Sequence, residues 1–141
     1  MGGDCNDGNP NVKPGALEVC NSLDDNCDGQ TDPTSATGCS NFYPDVDKDG
    51  VGANVTPVCY CKATGDWNVN KTGDCNDNDA AVNPGKTEVC NGTDDNCNGQ
   101  TDENLGMITC GTGACQRTVT NCVGGTTQPC NPGPPSTEVC N

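Results

Sequence analysis

Acidic residues at alternating positions are the part of this sequence that could do chemistry. In the segment 45–50, carboxylates occupy positions 1, 3 and 5 and Gly50 occupies position 6. A tight turn lets alternate side chains converge on one hard cation, and the following residue offers its backbone carbonyl. The pattern predicts a calcium loop, although Thr56 stands where a glutamate is expected; the alternative is a solvated acidic turn. The predicted ligands are Asp45, Asp47, Asp49 and the carbonyl of Val51.

Two further segments, 24–32 and 94–102, repeat this pattern with a cysteine inside the loop. Asn98 replaces Asp28, so we predict that the second loop binds its cation more weakly. Glu18 and Glu88 precede the loops and are candidates for the missing bidentate carboxylate. The alternative is that these polar residues form turns and caps. The predicted ligands are Glu18, Asp24, Asn26, Asp28, Gln30 and Asp32 in the first copy, and Glu88, Asp94, Asn96, Asn98, Gln100 and Asp102 in the second.

The tetrapeptide Asp-Cys-Asn-Asp occurs at 4–7 and again at 74–77. Its carboxylates, Asp4 and Asp7 in one copy and Asp74 and Asp77 in the other, could close the site of the repeat loop or build an adjacent site. A turn or capping role is equally compatible with the sequence. These four aspartates are therefore included among the candidate metal ligands.

The ligand atoms decide which metal is expected. The candidates are oxygen donors, the chain has no His, and the cysteines are better explained as disulfides than as thiolate ligands. Magnesium prefers a rigid octahedral shell that retains water, so several calcium ions are the first choice. Extracellular modules bind calcium at roughly 0.1–1 mM. Capture of a transition metal such as copper is a weaker alternative.

The composition excludes several functions. The chain has 141 residues, with 14 Cys, 20 Asp or Glu, 6 Lys or Arg, and a formal net charge of -14. That charge argues against nucleic acid and anionic lipid as partners, and no apolar run is long enough for membrane insertion. Without His, and with little apolar residue to enclose a pocket, an enzyme is not expected. Disulfides and cations must then replace a large apolar core.

Self-comparison divides the chain into four segments. Matching elements recur at an offset of 70 without a gap, and the last five residues match 87–91. The predicted segments are a first metal-binding repeat at 1–38, an acidic connecting module at 39–73, a second repeat at 74–106, and a Cys- and Gly-rich hairpin segment at 107–141 that leads into a truncated third repeat. We expect the chain to be a piece of a longer array.

The expected fold is a small, disulfide-rich, metal-stabilised repeat of irregular loops with short β-strands and single helical turns. Segments 58–60 and 67–69 are predicted strands, residues 79–82 could form one helical turn, and a hairpin is expected around Gly124 and Gly125. The expected disulfides join Cys20 to Cys27, Cys39 to Cys59, Cys61 to Cys75, Cys90 to Cys97, Cys110 to Cys122, and Cys115 to Cys130. Cys5 and Cys140 are expected to pair outside their own repeats.

The elements Gly-Asp-Cys-Asn-Asp, Glu-Val-Cys-Asn and Asp-Asp-Asn-Cys resemble the metal-binding repeat of secreted bacterial proteins of the MopE type, frequent in myxobacteria and other deltaproteobacteria. The resemblance covers 3–32, 73–103 and 137–141. It implies secretion, tandem repetition and metal binding. The copper label of that family does not carry over, because the chain has no His and a single Trp. The loops are also similar to those of thrombospondin type 3 repeats and dockerins, where calcium organises a chain with almost no apolar core.

The leading functional hypothesis is a structural calcium-binding module of an extracellular fibre, stalk or cell-surface array, with copies of itself or neighbouring repeats as partners. The alternative is a calcium-dependent adhesin that contacts a glycan or surface ligand through Tyr43, Tyr60 and Trp67. Asn54 and Asn70 are candidates for N-glycosylation, and Asn91 fits the same pattern inside a repeat.

Overall fold

The computed structural model describes residues 3–134, which divide into two compact units, Met1–Ala80 and Ala81–Asn141. The described chain consists of short strands, one 3-10 turn and irregular loops. All thirteen cysteines of the described part are disulfide-bonded. The predicted fold class, a small disulfide-rich repeat with short strands, is therefore confirmed.

Two small sheets organise the first unit. Strand β1 (Ser40–Pro44) lies between β3 (Val58–Tyr60) and β4 (Trp67–Val69) and pairs with both in antiparallel fashion. Strand β2 (Gly52–Ala53) pairs in parallel with β5 (Thr72–Asp74). The strands predicted at 58–60 and 67–69 are confirmed. The pairing of β2 with β5 places the end of the acidic loop beside Asp74.

Gly52 allows β2 to approach β1 closely. A Cβ atom added at this buried position would lie 2.5 Å from Cβ of Tyr43 and 2.8 Å from the carbonyl oxygen of Pro44. Distances this short cannot be accommodated without a backbone shift, so only glycine fits at the exit of the acidic loop.

The second unit has two hairpin-like pairs of strands. Strand β6 (Met107–Cys110) pairs with β7 (Arg117–Thr120) across the 3-10 turn Gly113–Cys115, and β8 (Cys122–Val123) pairs with β9 (Thr126–Thr127). The second pair turns at Gly124 and Gly125, as predicted. The helical turn predicted at 79–82 is wrong. The segment forms non-helical turns, and the next backbone N–H, that of Asn83, donates to the carbonyl of Asp95 (2.9 Å) instead of continuing a helix.

The buried interior of the described chain is more polar than apolar. Four apolar residues are buried, namely Val12, Ala36, Val82 and Cys115, against five polar ones, Asp25, Asp45, Asp74, Asn83 and Asp95. Such an interior cannot supply the burial of apolar surface that stabilises an ordinary domain of this size. Covalent cross-links, and ligands for the buried carboxylates, must take its place.

The disulfides tie each repeat to the module that follows it. Cys20 bonds to Cys61, and Cys90 of the second repeat bonds to Cys122 in the same manner. The backbone N–H of Cys20 donates to the carbonyl of Thr37 (3.0 Å), which holds Cys20 against the end of its own repeat, just before the connecting module begins. Bridges that enclose about 30–40 residues stabilise by roughly 4 kcal/mol on the loop-entropy model.

Of the expected pairings, that of Cys39 with Cys59 is confirmed. The pairings expected within each metal loop were wrong, because Cys27 bonds to Cys5 of its own repeat and Cys90 bonds forward to Cys122. The other wrong expectations are Cys61 with Cys75, Cys110 with Cys122, and Cys115 with Cys130, since Cys61 bonds to Cys20 and Cys110 bonds to Cys130. The expectation for Cys5 was also wrong, and Cys140 lies outside the described residues.

Candidate metal centre

The acidic loop after β1 folds so that its carboxylates converge. The N–H of Asp49 donates to Oδ1 of Asp45 and to Oδ1 of Asp47 (3.2 Å each), and the N–H of Gly50 donates to Oδ2 of Asp45 (3.2 Å). Lys48 and Gly50 have positive φ angles of 65° and 91°, which wind the backbone tightly around the side chains. The loop therefore has the local geometry that its sequence predicted.

The two repeat loops have the same hydrogen-bond pattern. In the first, the N–H of Asp28 donates to Asp24 (3.1 Å) and to Asn26 (2.9 Å), and the N–H of Gly29 donates to Asp24 (2.8 Å). The second loop repeats these contacts between Asn98, Gly99, Asp94 and Asn96 at distances of 2.8 to 3.1 Å. Cys27 and Cys97 adopt the left-handed conformation that Lys48 adopts in the acidic loop. The acidic loop and the two repeat loops thus share one backbone conformation.

Asp74 and Asp77 of the second repeat sequence lie against the acidic loop of the connecting module. Asp74 ends β5, opposite Ala53 of β2, and is only 2% exposed. The N–H of Val46 donates to Oδ1 of Asp77 (2.9 Å), which holds this second carboxylate against the loop. Five aspartates, drawn from the connecting module and from the start of the second repeat, therefore form one cluster in the first unit.

The five carboxylates form two overlapping groups. Oxygens of Asp45, Asp47 and Asp49 lie within 4.8 Å of one another, and so do oxygens of Asp47, Asp74 and Asp77. Oδ2 of Asp47 and Oδ2 of Asp74 are buried and have no hydrogen-bond partner. A third group, Cys90, Asp102 and Cys122, offers no thiolate because its two cysteines are bonded to each other.

Burial and mutual repulsion disfavour the charged forms of these acids. Burial raises the pKa of Asp47, the hydrogen bond from the N–H of Asp49 opposes that rise, and nearby carboxylates add to it. The pKa of Asp74 is raised for the same reasons, with burial again the largest cause. Without a cation, these groups resist the deprotonated state that metal binding requires.

In each repeat, the aspartate at position 9 and the glutamate before the loop accept backbone hydrogen bonds that stabilise the loop. Asp32 accepts hydrogen bonds from the N–H groups of Asn21 (3.0 Å) and Ser22 (3.1 Å), and Asp102 does the same in the second repeat. Glu18 accepts from the N–H of Asn26 (2.8 Å), and its Oε2 is buried without a partner. Glu88 accepts from the N–H groups of Asn96 and Asp102 (2.9 Å each). The N–H groups of Gln30 and Gln100 each donate to the side chain at position 5 of their loop.

Asp4 and Asp7 are placed differently from their counterparts Asp74 and Asp77. Both are exposed, and within residues 3–134 neither belongs to a group of three converging metal-ligand side chains. Asp4 accepts a hydrogen bond from the N–H of Asn6 (2.8 Å), the turn that Asp74 forms with Asn76 (2.7 Å). Their turn is therefore conserved between the copies, whereas the surroundings are not.

Sequence reasoning missed two kinds of functional side chain. Asp25 and Asp95 are buried (5% and 3% exposed) and accept from the side-chain amides of Asn21 and Asn91, so they hold the Glu-Val-Cys-Asn segment against the loop. The fixed spacing of four residues in both copies was the available signal. Glu103 accepts from the amides of Asn96 (2.7 Å) and Asn98 (2.6 Å), and these bonds lower its pKa.

The aromatic and glycosylation candidates lie on the surface of their units. Tyr60 and Trp67 are half-buried and pack edge to face with ring centroids 6.3 Å apart. Asn54 and Asn70 are exposed, and the amide of Asn70 donates to the carbonyl of Asn41 (2.6 Å). The amide of Asn91 is engaged by the buried Asp95, which disfavours modification there.

Among residues 3–134, no helix is long and apolar enough to cross a membrane. A family model named Cu-binding MopE, described as "Putative metal-binding motif", matches residues 4–33 and 74–103. This match confirms the resemblance of both repeats to the MopE type. Neither a curated protein nor a solved structure matches the chain.

Proposed function

We propose, from the premise that residues 4–33 and 74–103 are two copies of this metal-binding motif, that the chain is a calcium-stabilised, disulfide-bonded structural module of a secreted tandem array. The observation that carries the proposal is the cluster of five aspartates around the acidic loop, one of which, Asp74, is 2% exposed with an unpartnered carboxylate oxygen. Buried carboxylates of like charge repel one another and are stable only with a counter-cation or as acids.

The donor set favours calcium over copper, despite the name of the matching family. The cluster consists of carboxylates, the chain has no imidazole, and every described cysteine is in a disulfide. Protein copper sites are built mainly on nitrogen or sulfur donors, which this cluster does not offer. Calcium accepts six to eight oxygen ligands in flexible geometry, and the carboxylates of this cluster, with a backbone carbonyl such as that of Val51, are oxygen donors of the kind it prefers.

The disulfides and the aspartate cluster support a structural role. They connect successive segments: Cys20 is bonded to Cys61 of the connecting module, and Asp74 and Asp77 of the second repeat meet that module's loop. Cation binding at such a junction is coupled to folding, because the ligands come from separate segments that must first be brought together. We infer that calcium rigidifies the joints of the array. A secreted location agrees with the disulfide density.

Proteolysis with and without chelator tests the proposal. In excess calcium the oxidised chain should resist protease, and EGTA should expose cleavage sites around 44–54 and 70–78 first. Calcium should restore resistance, whereas copper or equimolar magnesium should not. Equal resistance in calcium and EGTA, or restoration by copper alone, would contradict a structural calcium role. Equilibrium dialysis with calcium and with copper identifies the bound metal independently of protease resistance.

A further inference from the structure

We propose that the aspartate cluster of the first unit is a two-ion site in which Asp47 bridges a pair of calcium ions. The inference deepens the proposed function and rests on it. Asp47 is the only residue common to the two groups of converging carboxylates found within residues 3–134, one formed with Asp45 and Asp49 and the other with Asp74 and Asp77. One ion would occupy each group.

The hydrogen bonding of Asp47 leaves it free to bridge. Oδ1 accepts from the N–H of Asp49 (3.2 Å) on the loop side, while Oδ2 is buried and has no partner in the protein. Oδ2 of Asp74 is also buried and unpartnered, in a side chain that is 2% exposed. A buried carboxylate oxygen without a hydrogen-bond partner needs a ligand, and both of these side chains belong to the group of Asp47, Asp74 and Asp77.

Charge supports two ions rather than one. The five carboxylates carry five negative charges when ionised, and a single divalent ion leaves three of them uncompensated in a partly buried cluster. Two divalent ions leave one. Because like charges a few ångströms apart in a partly desolvated site repel strongly, two divalent ions compensate the cluster better than one.

The repeat loops provide an internal contrast. Position 3 is Asn26 in the first repeat and Asn96 in the second, and only the acidic loop has an aspartate, Asp47, at that position. An amide has one oxygen and a carboxylate has two, so only the acidic loop can share its position-3 side chain between two cations. Asp47→Asn gives this loop the asparagine of the repeat loops. The variant should retain the ion held with Asp45 and Asp49 and lose the ion held with Asp74 and Asp77.

Equilibrium dialysis of the oxidised full chain against calcium counts the ions. Asp74→Asn/Asp77→Asn should lose one ion per chain, and adding Asp45→Asn/Asp49→Asn should remove one more. Asp4→Asn/Asp7→Asn, the matched change in the first repeat, should lose none. A total loss of one ion in the quadruple variant overturns the two-ion site and leaves the proposed function intact, whereas a loss of none overturns both, because this cluster carries the proposed function. A wild-type chain that binds no calcium overturns both.

Electron paramagnetic resonance of the wild-type chain tests the bridge without a variant whose folding could be impaired. Manganese(II) loaded into the wild-type chain should give the electron paramagnetic resonance spectrum of a spin-coupled pair, as expected for ions roughly 4 Å apart across a carboxylate. The coupled spectrum should disappear in Asp47→Asn, with isolated-ion signals remaining. A wild-type spectrum that contains only isolated-ion signals at every loading would contradict the bridge.

Discussion

The segments 4–7 and 74–77 have the same sequence and the same local turn, yet they differ in burial. Asp4 is exposed, whereas Asp74 is 2% exposed and lies in the aspartate cluster. The difference arises outside the tetrapeptide, because β5 pairs with β2 and carries Asp74 against the acidic loop. The same tetrapeptide therefore joins a group of converging carboxylates in the second copy, where the acidic loop and β2 pack against it.

The largest expected difference between the two segments is the loss of stability on replacing Asp74 compared with Asp4. In excess calcium, Asp74→Asn should lose the stabilisation that one of the cluster's ions provides, about 2–3 kcal/mol if calcium stands near one hundred times its Kd. Asparagine keeps the acceptor for the N–H of Asn76, so the turn itself should survive. Calorimetry of Asp74→Asn beside Asp4→Asn measures the difference. Equal destabilisation by the two variants would show that burial of Asp74 has no bearing on calcium.

Gly52→Ala tests the packing that separates the two segments. The added Cβ would meet Tyr43 at 2.5 Å and force β2 away from β1, which also disturbs its pairing with β5. We expect a loss of about 1–3 kcal/mol, typical of an overpacked site. Gly3, which precedes Asp4, has open space around its Cβ position, so Gly3→Ala should be close to neutral. Chemical denaturation of both variants checks the contrast; a neutral Gly52→Ala would remove the proposed role of this close approach.

The stability of the calcium-free chain should depend on pH through the buried carboxyl group of Asp74. Burial raises the pKa of Asp74 in the folded state, so the folded chain binds more protons than the unfolded chain above the usual carboxylate pKa. Stability without calcium should therefore fall as pH rises from about 4 through the raised pKa. Asp74→Asn should flatten this part of the profile. Thermal melts in EDTA from pH 4 to 8 provide the test, and a wild-type profile that rises over this range would contradict it.

The two repeat loops differ at the position of Glu103, where the first repeat has Pro33. The effect expected from this difference is the smallest of those considered. The pKa of Glu103 is lowered chiefly by the hydrogen bond from the amide of Asn96. This contribution to stability is present above the unfolded pKa and is lost as pH falls through the folded pKa. Glu103→Gln should therefore cause a small loss at pH 7 that vanishes in acid. Amide hydrogen exchange at 94–100 should detect it; an unchanged exchange rate there would exclude a bracing role for Glu103.

Much of this architecture could be predicted from the sequence because its signals are local. The alternation of acidic residues and the glycine at position 6 determine the three loops, and the Gly-Gly pair determines a hairpin. The disulfide partners could not be predicted in the same way, since Cys20 reaches Cys61 only after the backbone of residues 18–20 pairs with that of Thr37. The meeting of Asp74 with the acidic loop likewise depends on a parallel strand pair between segments 20 residues apart, which has no local signature.

The most direct test is the sign of one stability change under two conditions. If cations stand in for the missing apolar core at the aspartate cluster, Asp74→Asn should lower the melting temperature in excess calcium. The same variant should raise that temperature in EDTA at pH 7, because it removes a buried charge that no longer has a counter-ion. A change of the same sign in both conditions, or none in either, would contradict the account.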